Sequence, residues 1–527
     1  MLLLVFAMLL LPVLTVLGAW LQWDATSSDV LSGMVTTVLP DYALSTVLLG
    51  AWVLLGVISM GTVSAVMVTL FDFRGRRTLE WALLLPLAMP AYVVAYAYTD
   101  VLQFSGPVQS WMRQQWGLQG RVLPEIRSLW GAACVLSLTL YPYVYLLARS
   151  ALSERATHLM EAARLLGAPL SRRIREVALP LARPAIAAGS ALALMETLAD
   201  YGVSSYFGVQ TFTTGIYKAW LVMEDRIAAA QLCTVLLVVV LAVLLVERQA
   251  QSRMRFASNR PADRVREAQP VRLHGGAQVL AQLLCATPVL LGFVIPVGLL
   301  LHALWGSGDS INWPWDRFMV WAWNSFRLGA ITSVLAVMAA FWLGFETRRN
   351  GRGPVVWAVQ GVGLGYAVPG AVVVVGLLLP VGWSQRQWPE WGVGGWMTAT
   401  VLGLLWVYLV RFVAVALQSV QSGYARIPHS LDESARMLGT SWWRLWRTVH
   451  GPLMRRSGAV ALLLVLVDVM KELPATLVLR PFNTDTLAVM AYQLARDERL
   501  GEAALPSLAL ALVGLLPVLL LSRTLRR

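Results

Sequence analysis

Runs of about twenty apolar residues recur along the whole chain of 527 residues, and no other feature constrains its fold as strongly. At 1.5 Å of rise per residue, a helix of about twenty residues crosses a hydrocarbon core of about 30 Å and satisfies its own backbone hydrogen bonds on the way. Twelve spans are expected, at 2–20, 43–70, 79–102, 129–149, 184–203, 227–247, 277–303, 324–345, 355–381, 395–418, 458–479 and 503–522. Composition agrees: 57% of residues are hydrophobic and 13% charged, against roughly 45–50% and 25% in soluble domains. The expected fold class is an all-α polytopic membrane protein.

The net charge of +13 does not point to nucleic acid, because the arginines are confined to short loops, where they orient a membrane protein. With the N-terminus inside, the inner segments carry 29 Lys and Arg and the outer segments 10. The bias places both termini in the cytoplasm. The first basic residue is Arg74, so the apolar N-terminal stretch lacks the positive region of a secretory signal and is expected to be a retained first span. Six spans return a chain to the side it started from, which implies two parallel six-helix repeats about an axis normal to the membrane. The halves are 1–247 and 276–527; the segment 248–275, arginine-rich and broken by Pro261 and Pro270, is the expected cytoplasmic linker.

Two inner loops repeat each other. Residues 161–180 and 433–452 agree at nine of twenty positions without a gap, at an offset of 272. Ser430 and Glu433 have the spacing of a capping box, which predicts a short helix starting there; Gly439 stands where a left-handed residue would end it, and Pro452 closes a second helix. Each copy is thus helix, glycine turn, helix. One such loop could lie in lipid headgroups with its arginines on anionic lipid, or be gripped by a partner protein. Its duplication at fixed internal spacing favours a partner that is itself two-fold.

The stretches "EAARLLG...VALP" and "ESARMLG...VHGP" resemble the EAA loop of permease subunits of binding-protein-dependent ABC importers, in both halves. The family pattern falls on Glu161, Ala162, Ala163, Gly167 and Pro180, then on Glu433, Ser434, Ala435, Gly439 and Pro452; Ser434 for alanine and Gly451 for leucine are mild departures. The resemblance implies that each short helix docks in a groove of a cytoplasmic ATPase. Two ATPase subunits, carrying ATP and Mg, would be partners, together with a periplasmic substrate-binding protein and membrane lipid. The expected location is a bacterial inner membrane.

The residues agree that energy must come from elsewhere. A Walker A loop ends in Gly-Lys, but Lys218 and Lys471 follow Tyr and Met. No catalytic constellation is present, and no cofactor or metal is expected in this chain: Cys134, Cys233 and Cys285 lack metal-ligand spacing, and the five histidines are scattered.

Ionisable groups inside spans mark a pathway by default. Glu196 and Asp200 map onto Asp468 and Glu472 at the same offset of 272, each pair spaced i, i+4. Carboxylates favour hard cations. The same groups could instead be interfacial, or Asp468 could pair with Lys471. "METLADYGVSSYFG" and "VMKELPATLVL" resemble the fused ferric-iron permeases, which implies Fe(III) as cargo; thiamine and polyamine permeases remain alternatives, as does an ion-coupled secondary transporter. Tyr141, Tyr143 and Tyr145 could offer phenolate to Fe(III), though packing is the commoner role of aromatic residues in a span.

Overall fold

A computed structural model describes residues 2–21, 25–153, 157–256, 270–306, 315–349 and 353–525. They are almost entirely helical. Among them the one strand pairing is a two-residue parallel bridge, Phe71–Asp72 with Val271–Arg272. Eight helices are long and apolar enough to cross a membrane, among them Leu39–Leu70, Leu129–Ala151, Leu170–Ala199, Trp315–Arg349 and Leu402–Tyr424.

Two of the expected continuous spans are instead bent pairs. Arg76–Ala88 and Ala91–Trp116 meet at 90°, and Ala358–Ala367 and Gly370–Gln387 at 116°. The bends fall on Pro90 and Pro369. A proline forces the residue before it out of the helical region, and Met89 (ψ 126°) and Val368 (ψ 121°) are extended. Counting each pair as one span gives up to ten among the described residues by length and composition. The other two expected spans are a shorter apolar helix, Ala7–Leu21, and Gly451–Lys471, which is apolar in its middle but carries Arg455, Arg456, Asp468 and Lys471.

The chain forms two compact units, and neither is one of the sequence halves. The first comprises Met1–Gly33, Gly215–Leu237 and Trp313–Ala491. Its centre is the mutual packing of Trp315–Arg349, Leu402–Tyr424 and Gly451–Lys471. The N-terminal helix Leu2–Gly18 belongs here and lies along Gly370–Gln387: the Thr15 hydroxyl donates to the Gly376 carbonyl, and Trp406 Nε1 donates to Met8 O at 3.0 Å.

The second unit comprises Met34–Thr214, Val238–Asn312 and Tyr492–Arg527. Here Leu39–Leu70 and Leu170–Ala199 clasp Leu129–Ala151. Glycines permit the approach: a Cβ at Gly61 would stand 2.7 Å from Val144 Cβ, and one at Gly189 would stand 2.7 Å from Val144 Cα. Helix Gly275–Gly306, which opens the second half of the sequence, packs in this unit, with Tyr98 Oη donating to Leu291 O at 2.5 Å. Each half therefore contributes its first helix to the unit holding the other half's central helices. The division at 248–275 describes the repeat in sequence but not the packing. Helix Arg226–Phe256 also runs into the expected linker, of which residues 257–269 lie outside the described residues.

Candidate functional site

The repeated loops are the same object built twice. Helix Thr157–Leu165 matches His429–Met437, Leu170–Arg173 matches Trp442–Leu445, and Leu179–Ala199 matches Gly451–Lys471; every boundary is displaced by 272.

The first short helix of each copy ends in a Schellman motif. Gly167 (φ +79°) and Gly439 (φ +78°) adopt the left-handed conformation that glycine tolerates best. Ala168 N donates to Ala163 O at 3.0 Å and Gly167 N to Arg164 O at 3.0 Å; in the second copy Thr440 N donates to Ala435 O at 3.1 Å and Gly439 N to Arg436 O at 2.9 Å. The second alanine of the motif thus supplies the carbonyl that closes the helix. The capping box expected at Ser430 is not used: the helix starts at His429, with Pro428 as its cap residue.

Pro180 and Pro452 have an equally local role. Lacking an N–H, a proline deletes one helical hydrogen bond. Before each proline the helix widens into a π turn, Ile174–Ala178 and Trp446–His450, where Leu179 N reaches back to Ile174 O and Gly451 N to Trp446 O. The helix therefore continues through the proline, and the spans start well before the expected residues 184 and 458.

Outward, each copy presents bare apolar side chains. Leu165 and Leu166 are 89% and 87% exposed, and Met437 and Leu438 at the matching places 90% and 85%. Glu161, Ala162, Glu433 and Ser434 are exposed beside them, while Ala163 and Ala435 are half-buried. Two adjacent large apolar residues thus stand almost wholly exposed beside a rigid cap in each copy.

Inward, the two copies differ. Asp432, one residue before Glu433, is buried and accepts from Arg348 Nε at 2.5 Å. Arg348 also donates to Tyr424 O at 3.0 Å, Ile427 O at 2.9 Å and Pro428 O at 3.1 Å. His450, fully buried, sets Nε2 3.1 Å from Asp432 Oδ1, with the Tyr424 and Phe345 rings 5.5 and 6.0 Å away. Burial holds the His450 imidazole below its ordinary range, against the opposing pull of Asp432. In the first copy the matching positions are Met160 and Ala178, both buried. Sequence reasoning missed Arg348, Asp432 and His450; Arg348 and Asp432 lie 84 residues apart, and only packing joins them.

The intramembrane carboxylates are rearranged relative to expectation. Helices Leu179–Ala199 and Gly451–Lys471 end one residue before Asp200 and Glu472, where the backbone turns extended (ψ 128° and 122°). Each carboxylate instead caps the next short helix. Asp200 accepts from Val203 N at 3.4 Å, Ser204 N at 3.0 Å and Ser204 Oγ at 3.1 Å. Glu472, with a side chain 2% exposed, accepts from Ala475 N at 2.9 Å, Thr476 N at 3.0 Å, Thr476 Oγ1 at 2.6 Å and Arg411 Nη1 at 2.9 Å. Its oxygens are committed within the fold. Glu196 and Asp468 remain half-buried on their helices, the latter within electrostatic reach of Lys471. Tyr141 and Tyr145 are also structural, donating to Leu83 O at 3.0 Å and Glu80 O at 2.7 Å.

Among the described residues no group of three or more His, Cys, Asp and Glu is arranged to hold a metal ion. Each unit has a cavity beside a left-handed glutamate, Glu224 or Glu498: one of about 650 Å³ with Arg226 and Arg386, the other of about 400 Å³ with Asp100, Arg127 and His302.

Residues 58–255 match the family described as binding-protein-dependent transport system inner membrane component, a stretch that contains the first loop. The Fe(3+)-transport system permease protein FbpB 2 of Haemophilus influenzae is 24% identical over 482 residues, 91% of this chain and 89% of that protein. PhnV of Salmonella typhimurium, described as a 2-aminoethylphosphonate transport permease, is 27% identical over 213 residues, covering 40% of this chain and 76% of its own length. YvgM of Bacillus subtilis, described as a molybdenum transport permease, is 27% identical over 172 residues, 31% of this chain and 72% of its own.

Proposed function

We propose that this chain, an ABC-type inner-membrane permease of the binding-protein-dependent transport family, passes ferric iron from a periplasmic binding protein into the cytoplasm. Two separate ATPase subunits, each holding ATP and Mg, grip the helices Thr157–Leu165 and His429–Met437 from the inside. The observation that carries the docking is the matched pair of exposed apolar tips, Leu165–Leu166 and Met437–Leu438, each set by a left-handed glycine. Burying one such side chain in a partner's groove is worth about 1.5–3 kcal/mol, so two tips of two residues make an adequate hold for a motor. A grip repeated in sequence and local structure suits a pair of identical ATPases. Both loops and both termini then face the cytoplasm, as the arginine distribution expects.

Support for iron is the reach of the likeness: the ferric permease aligns over 91% of this chain, whereas the phosphonate and molybdenum permeases align over 40% and 31%. Glu196 and Asp468 stand half-buried at matching places on their helices, where a cation could meet a carboxylate from each half of the sequence. Uptake of labelled Fe(III), 2-aminoethylphosphonate, molybdate, thiamine and spermidine by a strain lacking the chain, with and without its restoration, tests the cargo. Iron uptake that does not depend on the chain refutes the ferric reading. Docking is tested separately by Gly167→Val with Gly439→Val, since forcing a β-branched residue into the left-handed region costs roughly 1–2 kcal/mol at each turn. The ATPase is expected to be lost on purification while insertion persists; undiminished association rejects docking through these loops.

A further inference from the structure

We propose that Asp432 is a positioning residue that gears the second docking helix to the spans, and that the two docking helices are joined to the membrane part by different chemistry. The proposal rests on the docking reading and adds the linkage behind it. Arg348, at the inner end of Trp315–Arg349, reaches the docking helix through Asp432 and the end of Leu402–Tyr424 through the Tyr424 carbonyl. Its remaining donors hold Ile427 and Pro428, the turn between the two. His450 brings in the π turn that leads into Gly451–Lys471. One carboxylate thus stands where three spans and the docking helix converge, and directional charge-assisted bonds fix their geometry. A pull on this helix must move the spans or break buried ionic contacts.

Among the described residues the first docking helix has no such joint. Its matching positions are Met160 and Ala178, and apolar packing is non-directional. The first handle can therefore slide where the second must transmit. One permease chain thus offers its two motors unequal grips.

Acid separates the two joints. The charged and titratable groups facing His450 are Asp432 on the docking helix, Arg348 on Trp315–Arg349 and Tyr424 on Leu402–Tyr424. His450 binds its proton less readily in the joint than when released, so the joint is complete above the ordinary histidine value of about 6.5 and weakens as pH falls below it.

The complex of chain, ATPase and binding protein, reconstituted in vesicles, tests this through uptake per ATP hydrolysed at about pH 7.5 and about pH 5.5. Asp432→Asn is expected to keep its ATPase and its hydrolysis but to lose about tenfold in uptake per ATP. Unchanged uptake per ATP overturns the proposal. His450→Gln is expected to retain transport at neutral pH and to abolish the wild-type decline in acid, whereas the apolar set Arg348→Leu, Asp432→Met and His450→Ala, the last two copied from the first docking helix, is expected to lose uptake per ATP as Asp432→Asn does. A decline that persists in His450→Gln also overturns it. Loss of the ATPase itself from Asp432→Asn would reject the gearing role, whereas indifference of ATPase association to the glycine substitutions would reject docking.

Discussion

Replacing Glu472 with alanine removes acceptors from two backbone N–H groups and the Thr476 hydroxyl, and leaves the Arg411 guanidinium, 12% exposed, without its carboxylate. Breaking a buried ion pair from one side costs about 3–5 kcal/mol, because the surviving charge is stranded. Asp200→Ala is the internal control. Asp200 occupies the matching cap and accepts similar bonds, but no ion pair to it is found among the described residues. Losing a cap alone costs about 0.5–2 kcal/mol. Glu472→Ala should therefore be the more destabilising by about 1 kcal/mol or more, the gap between those ranges. The assay is thermal unfolding of both variants in one detergent, followed by helical signal, with iron uptake measured in parallel. Adding Arg411→Leu to Glu472→Ala should recover part of the loss, since removing both charges relieves the stranded one. Equal costs for the two single variants would refute the reasoning. Glu472→Gln that unfolds like wild type but abolishes uptake would return this residue to the transport path.

Two further outcomes test the helix contacts. Gly189→Val should cost about 1–3 kcal/mol, because its Cβ would meet the Val144 backbone rather than a movable side-chain tip; an unchanged unfolding midpoint would deny that close approach. Tyr141→Phe should cost about 1 kcal/mol through the lost bond to Leu83 O while leaving iron uptake intact, and loss of uptake in a stable variant would revive the phenolate role.

Much of the machinery was legible because it is written in neighbouring residues. Apolar runs specify spans, a glycine six residues after a glutamate specifies where the first short helix of each loop stops, and a proline nineteen after it specifies where a hydrogen bond is missing. The offset of 272 carried through to every element boundary of the loops. Pro90 and Pro369 also signalled their bends, but hydropathy averaged over a window passes over a single residue.

The sequence alone therefore determined the class of fold, the duplicated handles and their caps, since hydropathy, backbone preference and a missing N–H act within a few residues. Tertiary structure decided which unit each leading helix joins, that Glu472 meets Arg411 61 residues away, and that Asp432 meets Arg348 and His450. A helix apolar on nearly every side can pack against many neighbours, and a buried carboxylate can cap, pair or bind. Which of these occurs depends on groups brought within 3 Å by packing, and linear spacing carries no record of that proximity.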